Sequence, residues 1–398
     1  MDQSRFTGSR TGRLVRITRP GGGDWAFVPD PLPPEWDFPS ELWPLLSEAK
    51  VKLARLDEKG RTLQNPSLLM VPLRKREALR SSSLEGTFAT AEQLLLYELR
   101  PRKPSAARDP VNDWSEVYNY DMSLRHGFSR LDDRTPGGLP LSLRLIREMH
   151  GILMRDARGG RTAGGAFRDR QVHVGSDRRY VPPPPESLQE CLDSLERYLH
   201  HHGSRFDPLV LSYIVHYQFE AIHPFLDGNG RIGRALLSLT TREWSELSMP
   251  WLYMSAYFER YKDEYIDNMF RVSTHGDWTR WIEFCLRGTV EQCIDAMRRA
   301  DELNGLRQAM TEAVGHLPRM YPIIENMFFR PIFDTGDVMD WTGCSRPTAA
   351  SDIRRLMEHG LVDYLMGVRP KAYFAPAIID AAYSEEGEEE GSAPAGSS

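Results

Sequence analysis

A histidine, a carboxylate, two glycines around an asparagine and two arginines fall within twelve consecutive residues, His223-Pro224-Phe225-Leu226-Asp227-Gly228-Asn229-Gly230-Arg231-Ile232-Gly233-Arg234. Together these groups suit the breaking of a nucleotide's phosphate chain. With an unperturbed pKa of about 6.5, His223 can take a proton from an attacking hydroxyl as a general base. Asp227 offers a hard oxygen of the kind Mg2+ combines with waters and phosphates. Gly228 and Gly230 can take positive φ, so the N–H groups around Asn229 can converge on an anion. Arg231 and Arg234 are three apart, face one side of a helix, and can fork onto phosphate oxygens.

Two helices must position these groups. Leu209 to Ile222 is a near-continuous apolar run, expected to be helical and to end at His223, because Pro224 disfavours helical backbone in the residue before it. The stretch from Arg231 to Leu239 has no proline. Its Ile232, Ala235, Leu236 and Leu239 recur at three- and four-residue spacing, so a second helix should begin at the glycine loop. A diphosphate would then rest on a helix N-terminus, where free N–H groups and the macrodipole favour negative charge. The loop lacks the Lys-Ser/Thr ending of a Walker A motif, the alternating acids of an EF-hand, and the preceding strand of a Rossmann fold.

At every fixed position, His223 to Arg234 resembles the Fic motif, H-P-F-x-D/E-G-N-G-R-x-x-R. The resemblance implies a protein adenylyltransferase that moves AMP from ATP to a Ser, Thr or Tyr hydroxyl of a protein and releases pyrophosphate; some relatives also remove AMP. It implies His223 as base, Asp227 as Mg2+ ligand, and Gly228, Asn229, Gly230, Arg231, Gly233 and Arg234 around the ATP phosphates. Self-modification and a homodimer are further expectations.

Upstream, Ser81-Ser82-Ser83-Leu84-Glu85-Gly86 is similar to the inhibitory pattern S/T-x-x-x-E-G/N of this family. That similarity implies that Glu85, with Ser81, occupies Arg234 in place of an ATP γ-phosphate. The segment Gln171-Val172-His173-Val174-Gly175 alternates apolar and polar residues between glycines and reads as a short hairpin. It looks like the family's flap, which pairs with a target's backbone as an added strand. Ser255 to Ile266 partly resembles the nucleoside-enclosing region, which implies Tyr265 as an adenosine contact. Tyr261 and Ile266 depart from that pattern.

The expected fold is mainly α: a Fic helical core with a short β-hairpin flap, plus a C-terminal winged helix-turn-helix domain. Residues 1–30, rich in Gly, Arg and Ser, read as a flexible arm. Residues 31–112 form an N-terminal helical domain with a helix from Glu41 to Leu56 and the Glu85 helix, 113–300 a catalytic core, and 301–380 the winged module, after a connecting helix near Glu291 to Leu306. Residues 381–398 are an acidic, disordered tail. In the module, Thr335 to Thr342 and Ser345 to His359 read as helices, with Gly343 and Gly360 as their stops, and Leu361–Leu365 and Lys371–Phe374 as strands. Arg346, Arg354 and Arg355 raise DNA contact, but Asp352 and Glu358 on the same helix make packing or dimerisation the preferred reading.

Bulk properties agree with an enzyme rather than a polyanion binder. Lys and Arg number 50 against 56 Asp and Glu, a formal charge of −6, which argues against general nucleic-acid or membrane-surface binding. Cys191, Cys285, Cys293 and Cys344 form neither a metal-ligand pair nor a disulfide framework. With no apolar h-region or long apolar run, a cytoplasmic location is expected. His200, His201 and His202 sit at a helix end, and His216 and Glu220 read as supports for the active-site helix. A nucleotide-sensing DNA-binding regulator without turnover is the alternative; the intact His223 favours an enzyme.

Overall fold

The computed structural model describes the chain except for residues 20–21, 107, 134, 136, 156–163, 176–177, 204, 316 and 385–398. Its first elements are an antiparallel pair, β1 (Gly12–Arg19) and β2 (Gly22–Pro29), in register from Gly12↔Pro29 to Arg19↔Gly22. This corrects the expectation of a flexible arm over residues 1–30. Ala26, Phe27 and Val28 are buried, and the Phe27 ring meets Phe6 and Tyr180. Burying such side chains is worth about 1.5–3 kcal/mol each, enough to hold a glycine-rich segment against the core.

The body is helical: α1 (Trp43–Thr62), α2 (Ser67–Leu84), α3 (Ala91–Leu99), α4 (Val111–Asp132), α5 (Leu143–Leu153), α6 (Pro185–His200), α7 (Pro208–Ile222), α8 (Asn229–Trp244), α9 (Ser255–Arg260), α10 (Lys262–His275) and α11 (Trp278–Ala313). Helix α7 is its axis. Every residue of α7 is buried except the partly exposed Pro208 and Glu220, as expected of a helix that is apolar all round. Asp207 caps its start, accepting from the Leu209 N–H at 3.0 Å. Helix α8 packs along α7, α5 along α4, and α1 along α11. Trp278 and Trp281 are buried where α11 meets this core.

Helix α11 runs 36 residues without a break, so the connecting helix expected near Glu291 is its continuation. Residue 300 lies within that helix, and residue 112 lies near the start of α4. Beyond α11 come α12 (Met320–Phe329), β3 (Ile332–Asp334), α13 (Thr335–Thr342), α14 (Arg346–Glu358), β4 (Asp363–Tyr364), β5 (Ala372–Phe374) and α15 (Pro376–Tyr383). The three strands form an antiparallel sheet in the order β3-β5-β4. Strand β3 was not foreseen; it is only three residues long and follows Pro331. Gly343 ends α13 at φ 66°. Helix α15 extends into the segment expected as a tail, with Tyr383 buried, while residues 385–398 lie outside the described set.

Helix α2 is gripped from several sides, by α4, α9, α11, α12 and α15. Among the described residues no helix is long and apolar enough to cross a membrane.

Candidate active site

The chain turns from α7 into α8 through the twelve-residue motif, and one left-handed residue makes that turn. His223 caps α7 at φ 50°, ψ 62°, a region that costs a residue with a side chain roughly 1–3 kcal/mol and recurs where function demands it. Its N–H still bonds the Phe219 carbonyl at 3.0 Å. Its Nδ1 lies 3.3 Å from the Glu220 carbonyl. A carbonyl only accepts, so Nδ1 carries the proton and Nε2 is left with its lone pair. Burial pushes the imidazole pKa down to about 4, so the ring is neutral near pH 7.

Of the two glycines flanking Asn229, only Gly228 takes positive φ, 77°, as the N-cap of α8. Gly230 is helical, because α8 starts at Asn229 rather than at Arg231. Asn229 does not face the loop's interior as a free phosphate donor. Its Oδ1 accepts from the Phe225 N–H at 2.8 Å and its Nδ2 donates to the Phe225 carbonyl at 2.9 Å, pinning the loop. The first-turn N–H groups of α8 have no intrahelical acceptor, as at any helix start, and these form the anion-binding end.

A carboxylate already stands there. Glu85, the residue after α2, lies 2.7 Å from Arg234 Nη2, and a Cβ built on Gly230 would come within 2.0 Å of Glu85 Oε1. Ser81 completes the contact: its Oγ accepts from Arg234 Nε at 2.8 Å and its carbonyl from Nη2 at 2.9 Å. Partial desolvation opposes ionisation of Glu85, whose side chain keeps 38% of its exposure, but the charge and hydrogen bond of Arg234, with Arg231 and His223 nearby, hold its carboxyl below the usual range. Gly86, at φ 82°, turns the chain away.

The two arginines do not share a partner. Arg231 is buried and donates to Glu116 of α4 at 3.2 Å, with its Nη2 3.8 Å from Asp227. Glu116 also accepts from the Thr87 hydroxyl at 3.1 Å. Asp227 is exposed, and one of its oxygens accepts from the Gly228 N–H at 2.6 Å. No group of three or more His, Cys, Asp or Glu among the described residues would hold a metal by itself. A single outward carboxylate beside an anion-binding helix end fits Mg2+, which takes one or two carboxylates and completes its shell with phosphates and water.

Gly233 is a packing residue: a Cβ there would lie 2.2 Å from Glu220 Oε1. Burial raises the Glu220 carboxyl to about 7, against the pull of Arg234. Tyr265 is not open to a nucleoside. It is buried, stacked on Phe258 at 4.4 Å, and bonded to His216 Nε2 at 2.8 Å. The adenosine contact that the partial resemblance implied for Tyr265 is replaced by core packing. His216 in turn bonds the Gly233 carbonyl at 3.0 Å.

The expected flap hairpin reduces, among the described residues, to one antiparallel bridge, Val174↔Tyr180. Prolines 182 to 185 lack the N–H groups a longer ladder needs. Gln171 folds back, donating to the Val172 and Pro182 carbonyls, and Gly175 turns the chain at φ 82°. Gln171, Val172 and His173 instead line a groove of about 800 Å³ whose other wall is β1, at Val15, Arg16, Ile17 and Thr18.

Three site residues lay outside the sequence expectations, Glu116 among them. His150 of α5 accepts from the Gly165 N–H at Nδ1, 2.9 Å, so its Nε2 carries the proton and donates to the Asp227 carbonyl at 3.0 Å. Its ring stacks on Phe225 at 3.7 Å. Arg168 is buried and gives its donors to the carbonyls of His223, Arg170, Pro183 and Ile222, tying the flap to the base. None of the three has a local sequence signature, since each acts on backbone or on an arginine far along the chain.

The Fic/DOC family model matches residues 140–240, and the Fic/DOC family N-terminal model matches residues 43–129. Over these two spans the chain matches the Fic/DOC family. Among curated Fic proteins it is similar to the protein adenylyltransferase Fic of Drosophila virilis, 27% identical over 254 residues, covering 60% of this chain and 48% of that one. The Fic protein of Drosophila yakuba is 30% identical over 160 residues, 40% of this chain and 30% of the relative. The chain thus spans less than half the length of these relatives. A Fic family protein from Desulfovibrio desulfuricans G20 shares its fold, with a TM-score of 0.54 at 21% identity, covering 86% of this chain and 98% of the other. Fic-1 (aa134–508) from C. elegans gives 0.52 at 20% identity, covering 65% and 73%.

Proposed function

We propose that this Fic protein is an autoinhibited protein adenylyltransferase that transfers AMP from ATP to a protein hydroxyl. The observation that carries the reading is the convergence on one helix end of a neutral histidine, an exposed carboxylate and an arginine held by a carboxylate from another helix. His223 takes the hydroxyl proton at Nε2 while the hydroxyl oxygen attacks the α-phosphorus. The new O–P bond forms as the bond to the bridging oxygen breaks, and pyrophosphate leaves. The first-turn amides of α8 and Arg231 hold the α- and β-phosphates, charge complements whose stabilisation is largest where negative charge develops. Mg2+ on Asp227 neutralises phosphate charge when bound.

The flap receives the target. An extended segment lying in the groove between Gln171–His173 and β1 would use main-chain hydrogen bonds for docking, with Arg168 fixing the flap relative to His223. Glu85 blocks the productive pose by occupying Arg234, the residue left to meet the γ-phosphate. Misplacement of about 1 Å can cost roughly a hundredfold in rate.

Incubation of the protein with α-labelled and, separately, γ-labelled ATP tests the reaction type. Label carried onto protein from the α position and lost in His223→Ala supports AMP transfer. Label carried only from the γ position would replace this reading with kinase chemistry.

A further inference from the structure

We propose that α14 and the β4–β5 hairpin form a docking face for duplex DNA, a second function separate from the Fic site. The acid on α14 that argued most against this face is not on it. Asp352 is buried and held by both ends of a bidentate pair with Arg319, at 2.7 and 2.9 Å. What α14 leaves exposed is Arg346, Arg354 and Arg355, with Glu358 at its far end. The hairpin that follows it in the chain exposes Arg369 and Lys371 against Asp363.

Five exposed cations therefore face two exposed acids on α14 and the hairpin, in a chain whose formal charge is −6. That local reversal of sign is the electrostatic footprint of a polyanion partner. Packing accounts for Lys371, which lies over the Tyr364 and Tyr373 rings at 4.6 and 5.4 Å, but not for the α14 arginines. Helix α14 rests chiefly on α13, whereas α12, α15 and β3 make the module's contacts with α2, α3 and α11. The side of α14 turned to its neighbours is Ala349, Asp352, Ile353 and Leu356, all buried.

Shape agrees with charge. A 13-residue helix is about 20 Å long and of the diameter that the major groove admits. A helix after a tight turn, followed by a two-stranded hairpin, places helix residues on bases and hairpin cations on the flanking backbone. The partner is duplex DNA rather than a single strand, because the face offers a helix with one side exposed and a single exposed aromatic ring, Tyr364, rather than a row on which bases stack.

The test is fluorescence anisotropy of the full chain with a random-sequence duplex of about 30 base pairs, at salt between roughly 50 and 200 mM. Four to five phosphate contacts correspond to a log–log salt slope of about −4. Arg354→Ala with Arg355→Ala is expected to lower that slope by about 2, weaken binding at low salt at least tenfold, and leave the thermal midpoint unchanged. A control pair on other exposed cations, Arg144→Ala with Arg287→Ala, is expected to bind as the wild type does. Absence of binding at low salt, binding indifferent to the α14 pair, or equal affinity for a single strand or duplex RNA overturns the proposal. So does loss of a homodimer in the α14 variant on gel filtration, which would make the face a contact between copies.

Discussion

Glu85 and Gly230 compete for the same space: the carboxylate that pairs with Arg234 at 2.7 Å stands 2.0 Å from where a Cβ on Gly230 would lie. One acid thus takes the arginine and stands against the first turn of α8 at Gly230. On the proposed reading an ATP γ-phosphate would need that arginine, and the α- and β-phosphates the first-turn amides of α8. Displacement of Glu85 would then be the step that opens the site, with its neighbours setting how hard that step is.

Thr87 is one such neighbour. It follows Gly86, and its hydroxyl donates to Glu116, which also holds Arg231. Thr87→Val removes a hydrogen bond to a charged group, worth about 1.5 kcal/mol, and so loosens the Glu85 segment. Basal AMP transfer is expected to rise roughly tenfold, measured as the initial rate of α-label incorporation. An unchanged rate would show that Thr87 plays no part in holding the segment.

Two glycine substitutions separate packing from propensity. Gly233→Ala drives a Cβ into Glu220 and is expected to destabilise the fold by about 1–3 kcal/mol. Gly305→Ala on α11 meets nothing within 4 Å and is expected to stabilise it by about 0.5–1 kcal/mol. Urea titrations of both variants check the pair; equal effects in the same direction would contradict the assigned contact.

The base works without its own titration near neutrality. His223 sits at a pKa of about 4, through burial first. Glu85 is one of the groups that raise it, so Glu85→Gly moves it further down. The transfer rate of Glu85→Gly is expected to show no protonation of the base between roughly pH 8 and 5.5. A fall with a midpoint near the ordinary imidazole value, about 6.5, would mean that the base is another group or a solvated histidine.

Stability carries an opposite-signed signature at Glu220. Its folded pKa, about 7, exceeds the ordinary carboxylate value of 4.5. Between those values the folded state holds the proton and the unfolded state does not. The stabilising contribution is therefore present at low pH and lost as pH rises through 7. Glu220→Gln keeps the neutral form at every pH. It is expected to be more stable than the wild type at pH 8, by on the order of 2 kcal/mol, and nearly equal to it at pH 5. Urea midpoints at the two pH values check this, and the reverse order would refute the burial assignment.

Much of the site was legible because its chemistry is local. The run from His223 to Arg234 and the Ser81 to Glu85 spacing are contiguous, and α7 and α8 follow from apolar periodicity. What stayed hidden depends on distant partners. Residues 1–30 read as loose by composition, yet Phe27 packs on Phe6 and Tyr180. Tyr265 reads as an adenosine contact by resemblance, yet it is buried and its hydroxyl is taken by His216. Arg168, His150 and Glu116 bridge 55, 77 and 115 residues of chain to reach their partners, and periodicity holds no trace of such contacts. Asp352 was counted as a surface charge until its pairing with Arg319 placed it inside.

The central claim is that Glu85 restrains a competent site, and the comparison of wild type with Glu85→Gly in α-labelled AMP transfer tests it most directly. A rate increase of roughly a hundredfold is expected, abolished when His223→Ala is added. Equal rates for wild type and Glu85→Gly, with ATP bound by both, would contradict the account.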